Sequence, residues 1–267
     1  MSERILPGIS RVGGRACKSV WYEDLPVISS PKDANVYLLQ LDGANVLVDA
    51  GSAEGMPMIE ENIRKAGIEP GDLTDLIMSH SHYDHSHGVP GWQKKYGLKI
   101  HLNAVAARFL QDQDYRLYGH LHKDPGWEPD PFDVTHAVAD EESFAIGQTE
   151  FKAYTLPGHT PDSTVYLFEK DGRSVAICGD ITFALNAKGN GGLGALARYW
   201  QSNCVHYEKS LEKMLSLRID VLLSGHYHAV VGADKVRTSI SASLTRMQKL
   251  LATPEVRHFG CGTGSLD

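Results

Sequence analysis

Four residues with metal-binding side chains crowd into six positions of this chain: His80-Ser81-His82-Tyr83-Asp84-His85. They follow directly on DLIMSH (75–80), a short apolar run that reads as a buried strand. Side chains at i and i+2 of an extended segment point the same way, so His80 and His82 can share one ion. Asp84 and His85 lie beyond, where a turn can aim them at a second ion. Imidazole and carboxylate together suit zinc and similar first-row metals. A single His-x-His is often only a polar turn. Four ligand-type residues straight after a buried strand are much harder to explain that way.

Three later residues supply what a metal site still needs. His159 follows a strand in LPGHTPDST, Asp180 ends another in ICGD, and His226 follows a third in LLSGHYH. Any one alone reads as a surface histidine or a turn aspartate. Together they place ligands after several apolar strands, and loops at one edge of a sheet can converge on one point. The chain has 13 histidines, and five of them fall in this pattern.

The surrounding elements must bring these segments together. NVYLLQL (35–41) and NVLVDAG (45–51) read as a hairpin around Asp42-Gly43. Residues 57–66 form a helix with Pro57 in its first turn and Gly67 ending it. A helix at 88–96, a strand at 99–103 and a helix at 104–112 follow. Residues 113–133 lack periodicity and read as a long surface excursion. Strands are expected at 149–156, 163–169 and 174–180, then a Gly/Ala-rich loop over 182–198. A helix at 203–217, a strand at 220–224 and a helix at 234–251 complete the chain. The last helix has an apolar stripe of Val236, Ile240, Leu244, Met247 and Leu251. No linker or short repeat interrupts this order, so residues 1–267 are expected to form one domain, a sheet core covered by helices.

Composition narrows the function classes. The 267 residues carry 26 basic and 33 acidic side chains, a formal net charge of −7, which argues against a nucleic-acid partner. No run approaches the ~18 apolar residues of a membrane span. The four cysteines, at 17, 178, 204 and 261, form no C-x-x-C pair, and sparse thiols fit a reducing compartment. The N-terminal sequence lacks the apolar run of a secretory signal. A cytoplasmic protein acting on a small molecule is expected. The Gly-rich segments GNGGLG (189–194) and GCGTGS do not continue into G-K-[ST], so neither is a P-loop.

H-S-H-Y-D-H followed by His159, Asp180 and His226, with the early strand motif LVDAG (47–51), resembles the metallo-β-lactamase-fold hydrolase superfamily. The ligand set is similar to those of glyoxalase II and the acyl-homoserine lactonases. The resemblance spans residue 35 to about residue 228 and implies an αββα sandwich, two mixed β-sheets flanked by helices. It implies two divalent ions at one edge, zinc first, with manganese or iron also compatible with N/O ligands. Carried over by position, His80, His82 and His159 hold one ion, and Asp84, His85 and His226 hold the other. Asp180 bridges them and Asp49 supports. One departure is His87, which stands where the family often has the first of two glycines.

The chemistry implied is hydrolysis by a metal-bridging hydroxide, with Asp84 and Asp180 as catalytic carboxylates that orient it. Tyr83 and Tyr227, each beside a ligand, are candidates to stabilise a leaving group. Adjacent side chains often point away, so both readings stay open. His87 and His228 are further pocket candidates. Tyr115, Tyr118, Trp127 and Phe132 of the excursion are candidates for a pocket wall, although an aromatic loop joining two copies into a homo-oligomer would look the same. Residues 189–200 are either a lid or an ordinary loop.

Within the superfamily, true β-lactamases generally lack the bridging aspartate that Asp180 supplies. Flavodiiron proteins carry glutamate where this chain has His82. The fold's nucleases usually have further domains or a basic element. Glyoxalase II has G-H-E-Y-T where this chain reads Gly225-His226-Tyr227-His228. A binuclear hydrolase of a small ester, lactone or thioester is the leading expectation, of the lactonase or esterase type. Its alternatives are an organophosphate or phosphodiester hydrolase, a β-lactamase activity, and a persulfide dioxygenase-like enzyme with one iron on His80, His159 and Asp180.

Overall fold

A computed structural model describes residues 2–14, 28–118, 130–186, 188–194 and 202–253. Its first sheet holds, in spatial order, β1 (Glu3–Leu6), β2 (Ile9–Gly13), β3 (Val36–Leu41), β4 (Ala44–Val48), β5 (Asp75–Ile77), β6 (Lys99–Asn103) and β7 (His136–Val138). The first four pair antiparallel and β4 to β7 pair parallel. The second sheet holds β8 (Ser143–Ile146), β9 (Thr149–Thr155), β10 (Thr164–Lys170), β11 (Arg173–Gly179), β12 (Val221–Ser224) and β13 (Val230–Val231), in sequential order. Only β11 and β12 pair parallel there.

Alternating side chains make this a sandwich. Tyr37, Leu39, Val46, Val48 and Ile77 of the first sheet meet Phe151, Ala153, Tyr166, Phe168, Val175, Ile177, Val221 and Leu223 of the second. The intervening positions Leu38, Leu47, Leu76, Ile100 and Leu102 face outward. They are covered by α1 (Met56–Lys65), α3 (Val89–Tyr96) and α4 (Ala104–Gln111), through Ile59, Ile63, Trp92 and Ala106. The outer face of the second sheet is covered by α5 (Cys204–Ser216) and α6 (Ala233–Leu251), through Tyr207, Leu211, Met214, Val236, Ile240 and Met247. Strands buried on both faces must be apolar almost continuously, which is why NVYLLQL and NVLV stand out in the sequence. The expected αββα arrangement is present.

Parallel pairing requires crossovers. α1 carries the chain from β4 to β5, and α5 carries it from β11 to β12. The C-terminal ends of β4, β5, β11 and β12 therefore share one edge of the sandwich, the edge at which ligands gather in open α/β sheets.

Several elements differ from the sequence expectation. β5 covers only Asp75–Ile77, and a short helix α2 (Tyr83–Ser86) stands where a turn is expected after His82. β7 is three residues long, too short for alternation to reveal. Cys204 is disulfide-bonded, so sparse, unpaired thiols no longer argue for a reducing compartment. No helix among the described residues is long and apolar enough to cross a membrane.

Candidate metal centre

The site starts at the end of β4. Asp49 has a positive φ of 57°, and its carboxylate accepts hydrogen bonds from the Ser79 backbone N–H (2.7 Å), Ser79 Oγ (2.8 Å) and His85 Nδ1 (2.8 Å). Asp49 thus ties the segment after β5 to α2. With its Nδ1–H donated to Asp49, His85 presents Nε2 to the site, the orienting device common behind metal-ligating histidines. The aspartate of LVDAG, a supporting residue by resemblance, has this physical task here.

Seven side chains from four loops converge. His159 Nε2 lies 3.2 Å from His80 Nε2 and 2.9 Å from His82 Nδ1. His226 Nε2 lies 3.2 Å from Asp84 Oδ2, and His85 Nε2 lies 3.8 Å from the same oxygen. Asp180 sits between the groups. Its Oδ1 is 3.4 Å from His85 Nε2, and its Oδ2 is 3.2 Å from His226 Nε2 and 3.6 Å from His159 Nε2. Ligand atoms fall within 4.8 Å of one another in three sets: His80/His82/His159, Asp84/His85/His226 and His80/His85/Asp180. The third set joins the first two into one cluster.

This cluster fits divalent cations. His85 Nε2 and Asp180 Oδ1 are buried without a hydrogen-bond partner, a costly state for polar atoms unless something else satisfies them. All the donors are nitrogen or carboxylate oxygen, as first-row metals prefer. Burial, with the neighbouring imidazoles of His85, His159 and His82, pushes the His80 pKa well down. Burial and His82 lower that of His159 to about 3. Both rings are therefore neutral, the ligating form. His85 differs. Burial, the largest single influence, opposes its charge, but Asp84, Asp49 and Asp180 together outweigh it and raise the pKa to about 10. Burial likewise opposes ionisation of Asp84 and Asp180, yet the facing His85 and His226 hold both below the ordinary carboxylate range.

The family model of the metallo-beta-lactamase superfamily matches residues 30–226, a span that contains all seven side chains. This chain belongs to the metallo-beta-lactamase superfamily. The superfamily's members are metallohydrolases. Among curated relatives, a hydroxyacylglutathione hydrolase of Chromohalobacter salexigens is 24% identical over 214 residues, covering 77% of this chain and 68% of the relative. One from Fuscovulum blasticum is 29% identical over 200 residues, covering 73% and 63%. Among solved structures, the FEZ-1 metallo-beta-lactamase from Legionella gormanii superposes with a TM-score of 0.69 at 19% identity, covering 95% of this chain and 96% of that one. At that identity the likeness is one of fold.

Around this cluster, the other expected residues are placed as follows. Tyr83 and His87 are half-buried and stack on each other at 4.2 Å. His87 Nδ1 accepts from the Ala53 N–H at 3.2 Å. Tyr227 is buried and packs edge-on against Phe183 at 5.2 Å, and His228 is exposed. Tyr115 is half-buried on a short 3-10 turn. Tyr118 corrects the pocket-wall expectation. It is 1% exposed in the core outside the first sheet, where its hydroxyl donates to the Ala106 carbonyl at 2.9 Å. Trp127 lies outside the described residues. Of the segment 189–200, residues 195–200 also lie outside them. The part before is fastened down: the Gly192 carbonyl accepts from Ser243 Oγ at 2.9 Å, and the Gly194 carbonyl accepts from His159 Nδ1.

Other supporting residues carry no motif. Tyr207 Oη reaches the carbonyls of Asp180 (2.9 Å) and Ile181 (2.5 Å) and accepts from the Gly194 N–H (3.1 Å). Asp162 accepts from Ser81 Oγ at 2.6 Å, pinning the residue between His80 and His82 to the loop of His159. Asp162 could have been noticed within LPGHTPDST. Tyr207 could not, because contacts to backbone leave no trace in residue spacing.

Proposed function

We propose that this protein is a binuclear metal-dependent hydrolase of a small ester, lactone or thioester. The observation that carries this is Asp180, whose two oxygens face ligand atoms of both triads. One carboxylate placed between two sets of donor atoms is what a pair of ions needs as a bridge. Two bound ions, zinc by preference, would supply an activated water at neutral pH and a Lewis acid for the acyl oxygen.

The chain's own residues do the rest. His80, His82 and His159 offer ring nitrogens to one ion, and Asp84, His85 and His226 serve the other. Asp84 has 30% of its side chain exposed, the most open of the carboxylates in the cluster. It is the group able to accept a hydrogen bond from an entering water and orient it. Asp180, at 8%, holds its charge away from solvent.

Within acyl substrates, lactones and esters are the first choice. The second is a glutathione thioester, supported by relatives named as hydroxyacylglutathione hydrolases. Gly225-His226-Tyr227-His228 in place of G-H-E-Y-T weighs against it. We place the substrate among small molecules.

The deciding experiment is a panel of lactones, esters, thioesters, phosphoesters and a β-lactam, with metal content measured on the same sample. About two metal equivalents per chain are expected, with acyl hydrolysis that is lost on chelation. Full activity without metal would sink the proposal. So would a single iron with oxygen uptake on a glutathione persulfide.

A further inference from the structure

The loop that carries His226 is held by its own carbonyls, and most of the groups that hold it come from the opposite sheet. Tyr227 has φ 63°, in the left-handed region where a non-glycine side chain is strained. Such a conformation persists only where the surroundings over-determine it. Here every carbonyl from 224 to 227 is engaged. Ser224 O accepts from Asn35 Nδ2 (2.9 Å) and Tyr37 Oη (2.8 Å). Gly225 O accepts from the Asn35 backbone N–H (2.6 Å). His226 O accepts from Ser224 Oγ (2.9 Å). Tyr227 O accepts from Arg11 Nη1 (2.6 Å) and Asn35 Nδ2 (2.9 Å).

Arg11 is the unusual member. Its side chain is 3% exposed, it donates to Asn35 Oδ1 at 3.2 Å, and its other terminal nitrogen pairs with Glu3 at 2.5 Å. A buried guanidinium aimed at a main-chain carbonyl makes a charge-assisted hydrogen bond, stronger than a neutral one. Arg11 lies in β2, and the family match begins only at residue 30.

We propose that Arg11, Asn35 and Tyr37 are positioning residues for the metal ligand His226, so that the β1–β2 hairpin, outside the family match, is part of the metal centre. They fix the backbone that sets His226 Nε2 3.2 Å from Asp84 and Asp180. Without them the Tyr227 backbone relaxes out of the left-handed region and carries the imidazole off its partners. The proposal rests on reading Asp84, His85 and His226 as the ligands of one ion.

The test is calorimetric zinc titration of the metal-free full chain, beside the visible spectrum of the cobalt-loaded protein. Arg11→Met is expected to weaken one of two binding steps about 10–100-fold, the usual effect of removing a ligand's supporting partner. The other step stays unchanged, and the cobalt band of the weakened site shifts. Tyr37→Phe removes only a hydroxyl and keeps the ring, so it reports even if Arg11→Met does not fold. It should weaken the same step by less, because Asn35 still donates to Ser224. Groups that merely stabilise the fold would lower the unfolding temperature of the metal-free protein and leave both steps and the band alone. That result, or equal weakening of both steps, overturns the clamp. A wild-type protein with one binding step overturns the two-ion reading and the clamp together.

Discussion

His85 shows how one side chain can be ready for a metal and still hold a proton. Its Nδ1 is tied to Asp49 and its Nε2 faces Asp84 and Asp180. Those carboxylates raise its pKa to about 10 against the opposing effect of burial. At pH 7 the metal-free ring is therefore protonated, and an ion must displace that proton. His80 and His159, with lowered pKa values, have none to lose. Filling the His85 set at pH 7 should release at least one proton, read as a dependence of the calorimetric heat on buffer ionisation enthalpy. Its affinity should rise with pH up to about 10, above which the ring is already neutral. Heats that do not vary with the buffer would contradict this. At this scale the sequence was most legible. His80, His82, Asp84, His85, His159, Asp180 and His226 all meet in the structure, because metal ligands must be particular residue types and those types are visible.

Strand ends and tight loops turn these residues into a site. Gly225 precedes His226 where β12 ends. A Cβ there would lie 2.2 Å from Asp180 Oδ1 and 2.6 Å from His85 Cε1. Gly225→Ala should therefore displace the Asp180 carboxylate. The protein should stay folded, because the two severe overlaps fall on side chains at the edge of the sandwich and the nearest backbone atom, Gly179 C, is 3.2 Å away. Metal analysis after gel filtration should show fewer equivalents than wild type, and an unchanged content would refute the close approach. The strands feeding this edge were legible from apolar runs such as NVYLLQL, since burial on both faces forbids polar interruptions. The helix over Tyr83–Ser86 was not, because it is only four residues long and spans the ligand motif itself.

Across the whole molecule the candidate ligands come from both sheets. His80, His82, Asp84 and His85 belong to the first, and His159, Asp180 and His226 to the second. Ions held between them, as proposed, would bind the folded state alone. Each ion should stabilise it by about 2.7 kcal/mol when free metal is about 100-fold above Kd. For a domain of this size that is roughly 5–10 °C in Tm. Differential scanning calorimetry with and without a chelator checks this, and an unchanged Tm would show that no ion bridges the sheets. Tyr118 was misread at this scale. Its neighbourhood looks like a surface excursion in the sequence, but the chain turns inward there and buries the ring beside α4.

The sequence by itself determined the ligand types, their order, the strands that precede them and the superfamily, because each depends on residue identity or local periodicity. Tertiary structure decided which residues hold the ligands in place. Tyr207 behind Asp180, and Arg11 and Asn35 behind His226, act through backbone carbonyls of distant residues. Such contacts join positions as far as 216 residues apart, and nothing in a linear pattern marks a carbonyl as the partner of a guanidinium until both sheets are stacked.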